Sequence, residues 1–227
     1  ALSRPLYIKE WDEDMAYEAA RQRKVDEETS RIRFIEEGHI YLLDGSPVPS
    51  VSEVIKPLVD MSRVPRETLE FKRSLGKAVH KAIELYERQD LDVDTLDQEA
   101  LPFFEAWLKF KEETGFRVVL SEQIVWSAKL RYAGTLDLLG TRGDNANGPD
   151  ELLDVKCVYA IGPATGPQTA GYALALQESH GIKVKKRGAL QLLQDGTFRF
   201  HPYTNPYDET AFKACLSINA FLRFHNK

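Results

Sequence analysis

Two aspartates interrupt strongly apolar segments in the second half of the chain. Asp137 lies in the segment TLDLLG (135–140), and Asp154 lies in ELLDVK (151–156). Leucine- and valine-rich runs of this length, with turn residues between them, predict buried strands of a sheet. An ionised carboxylate is costly at such a position unless a cation pairs with it. These segments therefore predict a sheet that carries a charged site.

The spacing of the polar residues indicates how they are arranged. Asp154 and Lys156 are two positions apart, and alternate residues of a strand share a face, so a carboxylate and an ammonium leave the same side. If Asp137 lies at the same level of a neighbouring strand, two carboxylates and a lysine converge, and hard oxygen ligands suit Mg²⁺ or Mn²⁺. Gly134 predicts a point where substrate or metal approaches the backbone. Taken singly, the two aspartates are more typical of polar residues near turns, and Lys156 is more typical of an exposed strand lysine.

The order of predicted elements indicates an α/β domain. Apolar residues at three- and four-residue steps predict helices, and β-rich runs between turn signals predict strands. In chain order these are helices 66–88 and 95–114, strands 116–126, 130–141 and 151–159, helix 168–180, strands 187–193 and 197–203, and a helix after Pro206. Such an order predicts a mixed central sheet with helices on both faces.

The first 60 residues differ in pattern from the rest. Residues 7–30 predict a marginally amphipathic helix, and the Glu37-Gly38 turn predicts a β-hairpin. Ser50 and Glu53 form a capping-box pattern that predicts a short helix. We therefore expect residues 1–60 to form a helix-and-hairpin appendage, and residues 61–227 to form the main domain.

Composition excludes several classes of protein. The chain of 227 residues carries 30 Lys+Arg and 35 Asp+Glu, which argues against a purely electrostatic nucleic-acid binder but leaves open an enzyme that holds cations with carboxylates. No apolar run approaches the roughly 20 residues of a membrane span, so we expect a cytoplasmic protein of a bacterial or phage-infected cell without a membrane contact. Two cysteines are too few for a four-thiolate zinc or iron–sulfur site.

Four short motifs follow one another between residues 75 and 205: Gly76-x-x-Val79-His80, Gly134-Thr-x-Asp137, Asp154-x-Lys156 and Gln168-x-x-x-Tyr172. Their order and spacing resemble the PD-(D/E)XK nuclease superfamily, in its RecB-like and Cas4-like exonuclease branch. The resemblance implies a restriction-endonuclease-like core. The proline of the family name is absent, because Leu136 precedes Asp137. The iron–sulfur cysteines of Cas4-like members are absent too, so the resemblance is to a member without a cluster.

The resemblance also implies roles for individual residues. Asp137, Asp154 and the carbonyl of Val155 would hold Mg²⁺ or Mn²⁺, and His80 would complete the metal site. Lys156 would orient or deprotonate the attacking water and offset charge on the phosphate.

Further candidates are less specific. Gln168 and Tyr172 would contact substrate; the less favoured alternative is that Tyr172 is a core residue and Gln168 an exposed residue at the start of the helix. Glu84 shares a helix face with His80 and is either a metal assistant or a solvated side chain paired with a neighbouring cation. Glu122, on the preceding strand, is a possible outer carboxylate. The basic run 183–187 either follows a nucleic-acid backbone or is a solvated turn.

The expected function is a metal-dependent deoxyribonuclease, most simply an exonuclease acting on DNA ends or single-stranded DNA. Recombination, repair or phage DNA processing would be its setting, with a recombination or phage protein as a partner. One alternative is a nuclease fold that has lost catalysis and binds DNA within a larger complex. Another is a cytosolic interaction domain that binds a partner through its acidic N-terminal helix. The inactive nuclease fold predicts DNA binding without turnover. The interaction domain predicts no metal affinity.

Overall fold

A computed structural model describes residues 31–60, 64–142 and 148–225 of the chain. These residues fall into two compact units, one ending at Val48 and the other beginning at Pro49. The helix expected over residues 7–30 lies outside the described residues. The functional separation of residues 1–60 from the remainder stays a prediction.

The first unit contains a three-stranded antiparallel sheet. Its strands are β1 (Ile32–Ile35), β2 (Ile40–Leu43) and β3 (Ser46–Val48). Gly38, in the first turn, has φ +82°, and Gly45, in the second turn, has φ +74°. Glycine adopts this left-handed backbone at little cost, which is why each turn closes at a glycine. The predicted hairpin is confirmed.

The second unit contains a five-stranded sheet flanked by helices. The helices are α1 (Val51–Val54), α2 (Arg66–Glu87), α3 (Leu101–Thr114), α4 (Thr165–His180) and α5 (Tyr207–His225). The strands are β4 (Phe116–Ser127), β5 (Tyr132–Arg142), β6 (Glu151–Lys156), β7 (Lys186–Leu192) and β8 (Phe198–Pro202). Short 3₁₀ turns lie at Lys56–Leu58 and Val93–Thr95.

Strand order in this sheet follows chain order, β4-β5-β6-β7-β8. The β6–β7 pair is parallel and its neighbours are antiparallel, with α4 in the connection between β6 and β7. A parallel pair needs such a crossover, whereas antiparallel pairs close with short turns. The predicted α/β class with a mixed central sheet is confirmed, and the arrangement is consistent with a restriction-endonuclease-like core.

Apolar side chains fill both faces of the sheet. On one face they join α2 and α3 to the strands: Val79, Ile83, Trp107, Phe110, Leu153 and Val155. On the other face they join α4 and α5 to the strands: Leu139, Leu152, Leu176 and Phe212. Because successive residues of a strand point to opposite faces, β6 contributes apolar side chains to both clusters. Its polar residues are Glu151, Asp154 and Lys156. None of the described helices is long and apolar enough to cross a membrane.

Two helices begin at positions other than those the periodicity predicts. α3 begins at Leu101 rather than near residue 95, because Pro102 favours the first turn of a helix and residues 93–95 form a separate 3₁₀ turn. α4 begins three residues earlier than predicted, at its Thr165. Pro167 lies in that first turn, where the missing N–H leaves no helical hydrogen bond unmade.

β6 ends at Lys156, whereas the β-rich run predicted a strand as far as Tyr159. The carbonyls of Val158 and Tyr159 accept hydrogen bonds from the side chain of Gln191, at 2.8 Å each, instead of from a strand backbone. A side chain of β7 thus replaces the ladder and releases the segment after Lys156 from the sheet.

Candidate active site

The sheet opens between β5 and β6 at Asp137. The two strands pair from Leu138 to Gly140 of β5, and beyond this the Val155 N–H donates to Asp137 Oδ2 at 2.7 Å. The carboxylate therefore takes the place of a strand carbonyl, which satisfies a backbone donor that would otherwise be unpaired. Asp137 is held in a fixed position with its second oxygen, Oδ1, left for other partners.

Glu122 lies opposite Asp137, on β4. The pairs Ser121–Leu138 and Gln123–Leu136 flank it, yet Glu122 itself has φ +48°, in the left-handed region. This conformation costs a residue other than glycine about 1–3 kcal/mol and is found where the surrounding structure imposes it. At this irregular point of β4 the Glu122 carboxylate contacts α2, at His80.

His80 is the helix residue that meets these carboxylates. Its Nδ1 lies 3.1 Å from Glu122 Oε1 and 3.6 Å from Asp137 Oδ1, and its Nε2 lies 3.1 Å from the Val155 carbonyl oxygen. Val79, one position earlier, is fully buried in the core, so this part of α2 packs against the sheet. The helix thus places one imidazole against three strands of the sheet.

The electrostatics of the cluster favour a cation. Burial by itself would lower the pKa of His80, but the negative charges of Asp137 and Glu122 outweigh it and raise this pKa from 6.5 to about 9. Burial also raises the pKa of Asp137, with His80 and Lys156 acting against the shift. At neutral pH the imidazolium therefore donates from both nitrogens and supplies positive charge between the carboxylates.

The same residues form a set of metal ligands. The ligand atoms of His80, Glu122 and Asp137 all lie within 4.8 Å of one another, and no other such group occurs in the described ranges. Together with Glu84 and Val155 they line a cavity of about 10 Å³. That volume is about the size that holds one water molecule, ~10–15 Å³. A small cation with oxygen and imidazole ligands fits this cavity, whereas a nucleotide does not.

Asp154 and Lys156 form an ion pair on β6, as their spacing predicts. Lys156 Nζ lies 2.7 Å from Asp154 Oδ2, and Asp154 is 1% exposed. Burial raises the pKa of Asp154 to about 6, although Lys156 acts against the shift. Burial would lower the pKa of Lys156, but Asp154 and Asp137 raise it, so the amine stays protonated. The other Asp154 oxygen, Oδ1, is buried and accepts no hydrogen bond.

Gln168 and Tyr172 continue this chain of contacts into α4. Lys156 Nζ donates to Gln168 Oε1 at 3.3 Å, and Gln168 Nε2 donates to the Tyr172 hydroxyl at 3.4 Å. Tyr172 is only 5% exposed. Its ring therefore belongs to the core and its hydroxyl positions Gln168, which in turn orients the lysine.

The expectation that Gly134 lets substrate or metal approach the backbone is wrong. A Cβ at this position would lie 2.8 Å from Tyr172 Cε1 and 3.1 Å from Val51 Cγ2. Two buried side chains therefore occupy the space beside Gly134, and glycine is required because the core packs there.

Glu84 lines the same cavity but is not one of the three residues of the ligand group. Its carboxylate lies 2.8 Å from Lys81 Nζ and 2.8 Å from Arg88 Nη2. The two cations already neutralise it, so the pairing that the sequence left open as an alternative is the one observed. Glu122, which the sequence predicted to be an outer carboxylate, belongs instead to the three-residue ligand group.

Two residues near the site lack a sequence motif. Gln191, 2% exposed, contacts the segment after Lys156. Burial raises the pKa of the Tyr203 phenol, and the negative charge of Asp154 adds to the shift. A polar side chain inside the apolar run ALQLL is a signal of the same kind as Asp154. Tyr203, at the end of a strand, has no comparable signal.

No family model and no curated protein matches the sequence. Among solved structures, an alkaline exonuclease from Laribacter hongkongensis, LHK-Exo, is similar at TM-score 0.32 and 15% identity, over 53% of this chain and 66% of that chain. LHK-Exo in complex with dAMP gives 0.36 and 13%, over 78% and 90% of the two chains. The protein SSO0001 gives 0.39 and 12%, over 92% and 86%. These similarities are loose, so a function has to be inferred from the side-chain geometry.

Proposed function

We propose that this chain is a metal-dependent nuclease that hydrolyses phosphodiester bonds in DNA. The observation that carries the proposal is the convergence of the His80–Glu122–Asp137 ligand group with the buried Asp154–Lys156 pair at the splayed end of β5 and β6. Buried, pKa-shifted groups of opposite charge around a small cavity are typical of catalytic sites.

Glu122, Asp137, His80 and the Val155 carbonyl are the groups that would hold Mg²⁺ or Mn²⁺, with Asp154 Oδ1 as a further oxygen. When bound, such an ion lowers the pKa of a coordinated water and neutralises phosphoryl oxygens. His80 has to lose a proton before it binds a metal, and the ring nitrogen that becomes a ligand then stops donating to its present partner, Glu122 or the Val155 carbonyl.

Lys156 supplies the positive charge that faces the reacting phosphate. Asp154 and Gln168 hold its ammonium from two sides, at 2.7 and 3.3 Å. Because its pKa is raised, the lysine acts as a proton donor and charge partner toward a phosphate oxygen, and it orients water without first deprotonating it. Tyr172 supports this arrangement through Gln168.

The finer description is that of an exonuclease acting on DNA ends or single strands in recombination, repair or phage DNA processing. The resemblance of the four motifs to RecB-like nucleases supports this description. It also supports Mg²⁺ or Mn²⁺ as the ion.

Degradation of end-labelled DNA tests the proposal. Single-stranded and duplex DNA, labelled at the 5′ or the 3′ end, is incubated with protein in Mg²⁺, Mn²⁺ or EDTA. We expect cleavage only with a metal, and a loss of about 10²-fold or more in Asp137→Ala and Lys156→Ala. Lys213→Ala is the matched control, because Lys213 pairs with Glu209 on an exposed helix face. DNA binding without cleavage in any metal would favour a non-catalytic DNA-binding subunit instead.

A further inference from the structure

A groove of about 1100 Å³ lies beside the catalytic lysine, between the segment after β6 and the β7–β8 hairpin. Gln191 lines it and is the register partner of Lys156 in the β6–β7 pair, which joins the groove to the site described above. We propose that this groove binds single-stranded DNA next to the scissile phosphate, with the ring of Tyr159 stacked on a base. This inference rests on the proposed nuclease function and names the form of its substrate.

Tyr159 combines an exposed ring with an anchored backbone. The residue is 95% exposed, although an aromatic side chain of this size usually buries much of its surface. Its carbonyl and that of Val158 each accept a 2.8 Å hydrogen bond from Gln191 Nε2, and Gln191 is 2% exposed. The ring is thus presented to solvent from a backbone that a buried amide holds in place, which lowers the entropy cost of stacking.

The anchoring extends to the far wall of the groove. Both N–H groups of Gln191 are used on carbonyls, so its Oε1 accepts from His201 Nε2, at 2.9 Å. His201 and Arg199 both lie on β8 and both line the groove. One buried glutamine therefore sets the spacing between the exposed ring and the basic strand opposite it.

The groove offers a phosphate backbone one exposed cation, Arg199. Arg199 lies on β8, and the acidic lining residue, Asp195, is exposed in the hairpin turn. There its carboxylate accepts from Thr197 N at 3.0 Å and from Thr197 Oγ1 at 2.5 Å. An aromatic platform beside a basic strand is the combination that binds single strands without regard to sequence.

Size and stacking distinguish the substrate form. The ligand cavity at His80 holds only an ion, whereas the groove is as large as the largest small-molecule sites, ~1,000 Å³, and is open along its length. A base stacks on a protein ring only when one of its faces is free, as it is in a single strand. The groove therefore favours an unpaired, extended segment over a duplex.

The test compares Tyr159→Ala with Tyr159→Phe, which keeps the ring, in the full chain. Binding of a fluorescent 12-nucleotide oligo(dT) is measured by anisotropy in EDTA, so that no cleavage occurs. Hydrolysis of bis(p-nitrophenyl) phosphate in Mn²⁺ reports on the metal site without a DNA strand. Circular dichroism checks that each variant is folded.

We expect Tyr159→Ala to weaken oligo(dT) binding by about 5- to 150-fold, since stacking contributes about 1–3 kcal/mol per base. The oligo(dT) affinity of Tyr159→Phe should stay within about 2-fold of that of the unmodified chain. Arg199→Ala should weaken oligo(dT) binding less at high salt than at low salt. All three variants should hydrolyse the small diester at the rate of the unmodified chain. Equal oligo(dT) affinity in Tyr159→Ala and the unmodified chain, with the diester still hydrolysed, overturns the groove assignment alone. Failure of the unmodified chain to hydrolyse the diester and to bind oligo(dT) overturns the nuclease function as well.

Discussion

Gly134→Ala perturbs the packing of Tyr172, which supports Lys156 through Gln168, without touching any charged group. A Cβ at Gly134 would lie 2.8 Å from Tyr172 Cε1, whereas ordinary van der Waals contacts begin at 3.4 Å, so the ring would have to move by about 3.4 − 2.8 = 0.6 Å. Val51 Cγ2, at 3.1 Å, prevents the new methyl group from shifting away. Both neighbours are buried, at 5% and 0% exposure, so neither relaxes into solvent.

The expected loss of stability follows from these contacts. Overpacking of a core costs about 1–3 kcal/mol, and the lower unfolded-state entropy of alanine offsets about 0.4–1 kcal/mol of it. We therefore expect Gly134→Ala to lower the free energy of unfolding by about 1–2 kcal/mol, which is a fall of about 2–8 °C in Tm for a chain of this size.

Gly76→Ala is the matched control, because it adds the same methyl group where nothing lies within 4 Å. Gly76 is within α2, so alanine should stabilise the protein by about 0.5–1 kcal/mol. Urea unfolding followed by circular dichroism measures both variants. A Gly134→Ala variant as stable as the unmodified chain would show that the methyl group is not overpacked against Tyr172 and Val51. A further check combines Gly134→Ala with Val51→Ala, which makes room for the methyl group, so the two losses should be less than additive.

Three further predictions concern ionisation and burial. In EDTA, the pKa of His80 is raised from 6.5 to about 9 by its carboxylate partners. The charged imidazolium therefore stabilises the fold fully below pH 6.5, and this contribution, at most about 3 kcal/mol, is lost as the pH rises to about 9. Urea unfolding at pH 6, 7.5 and 9 should show this fall in stability in the unmodified chain and not in His80→Gln. Arg187→Met should lower the free energy of unfolding in guanidinium by about 3–5 kcal/mol, because it leaves the buried Asp208 carboxylate, 3.0 Å from Arg187 Nη2, without its cation. Lys213→Met, at an exposed ion pair, should lower it by less than about 1 kcal/mol. Equal losses in the two variants would contradict the role of burial. Burial raises the pKa of the Cys157 thiol to about 12. Iodoacetamide at pH 8 should therefore leave Cys157 unmodified in the folded protein and modify it in urea, which peptide mapping would measure. Rapid labelling of Cys157 in the folded protein would show instead that the thiol is accessible.

Local patterns were sufficient for the elements and for part of the site. The alternation of side chains along β6 placed Asp154 and Lys156 on one face, where they form their ion pair. The Ser50–Glu53 capping box and the turn glycines likewise involve residues close together in sequence. Helix starts were less predictable, because Pro102 and Pro167 act through the first turn rather than through apolar periodicity.

The contacts that complete the site join residues far apart in the chain. His80 reaches the Val155 carbonyl, and Asp137 accepts from the Val155 N–H, 18 positions away. Glu122 meets His80 at a point where its own backbone adopts φ +48°, which no propensity favours. What the sequence by itself determined is which side chains are polar within apolar strands and which face each one occupies. The tertiary structure alone decided which of them meet, because strand register and helix placement depend on the packing of the whole core.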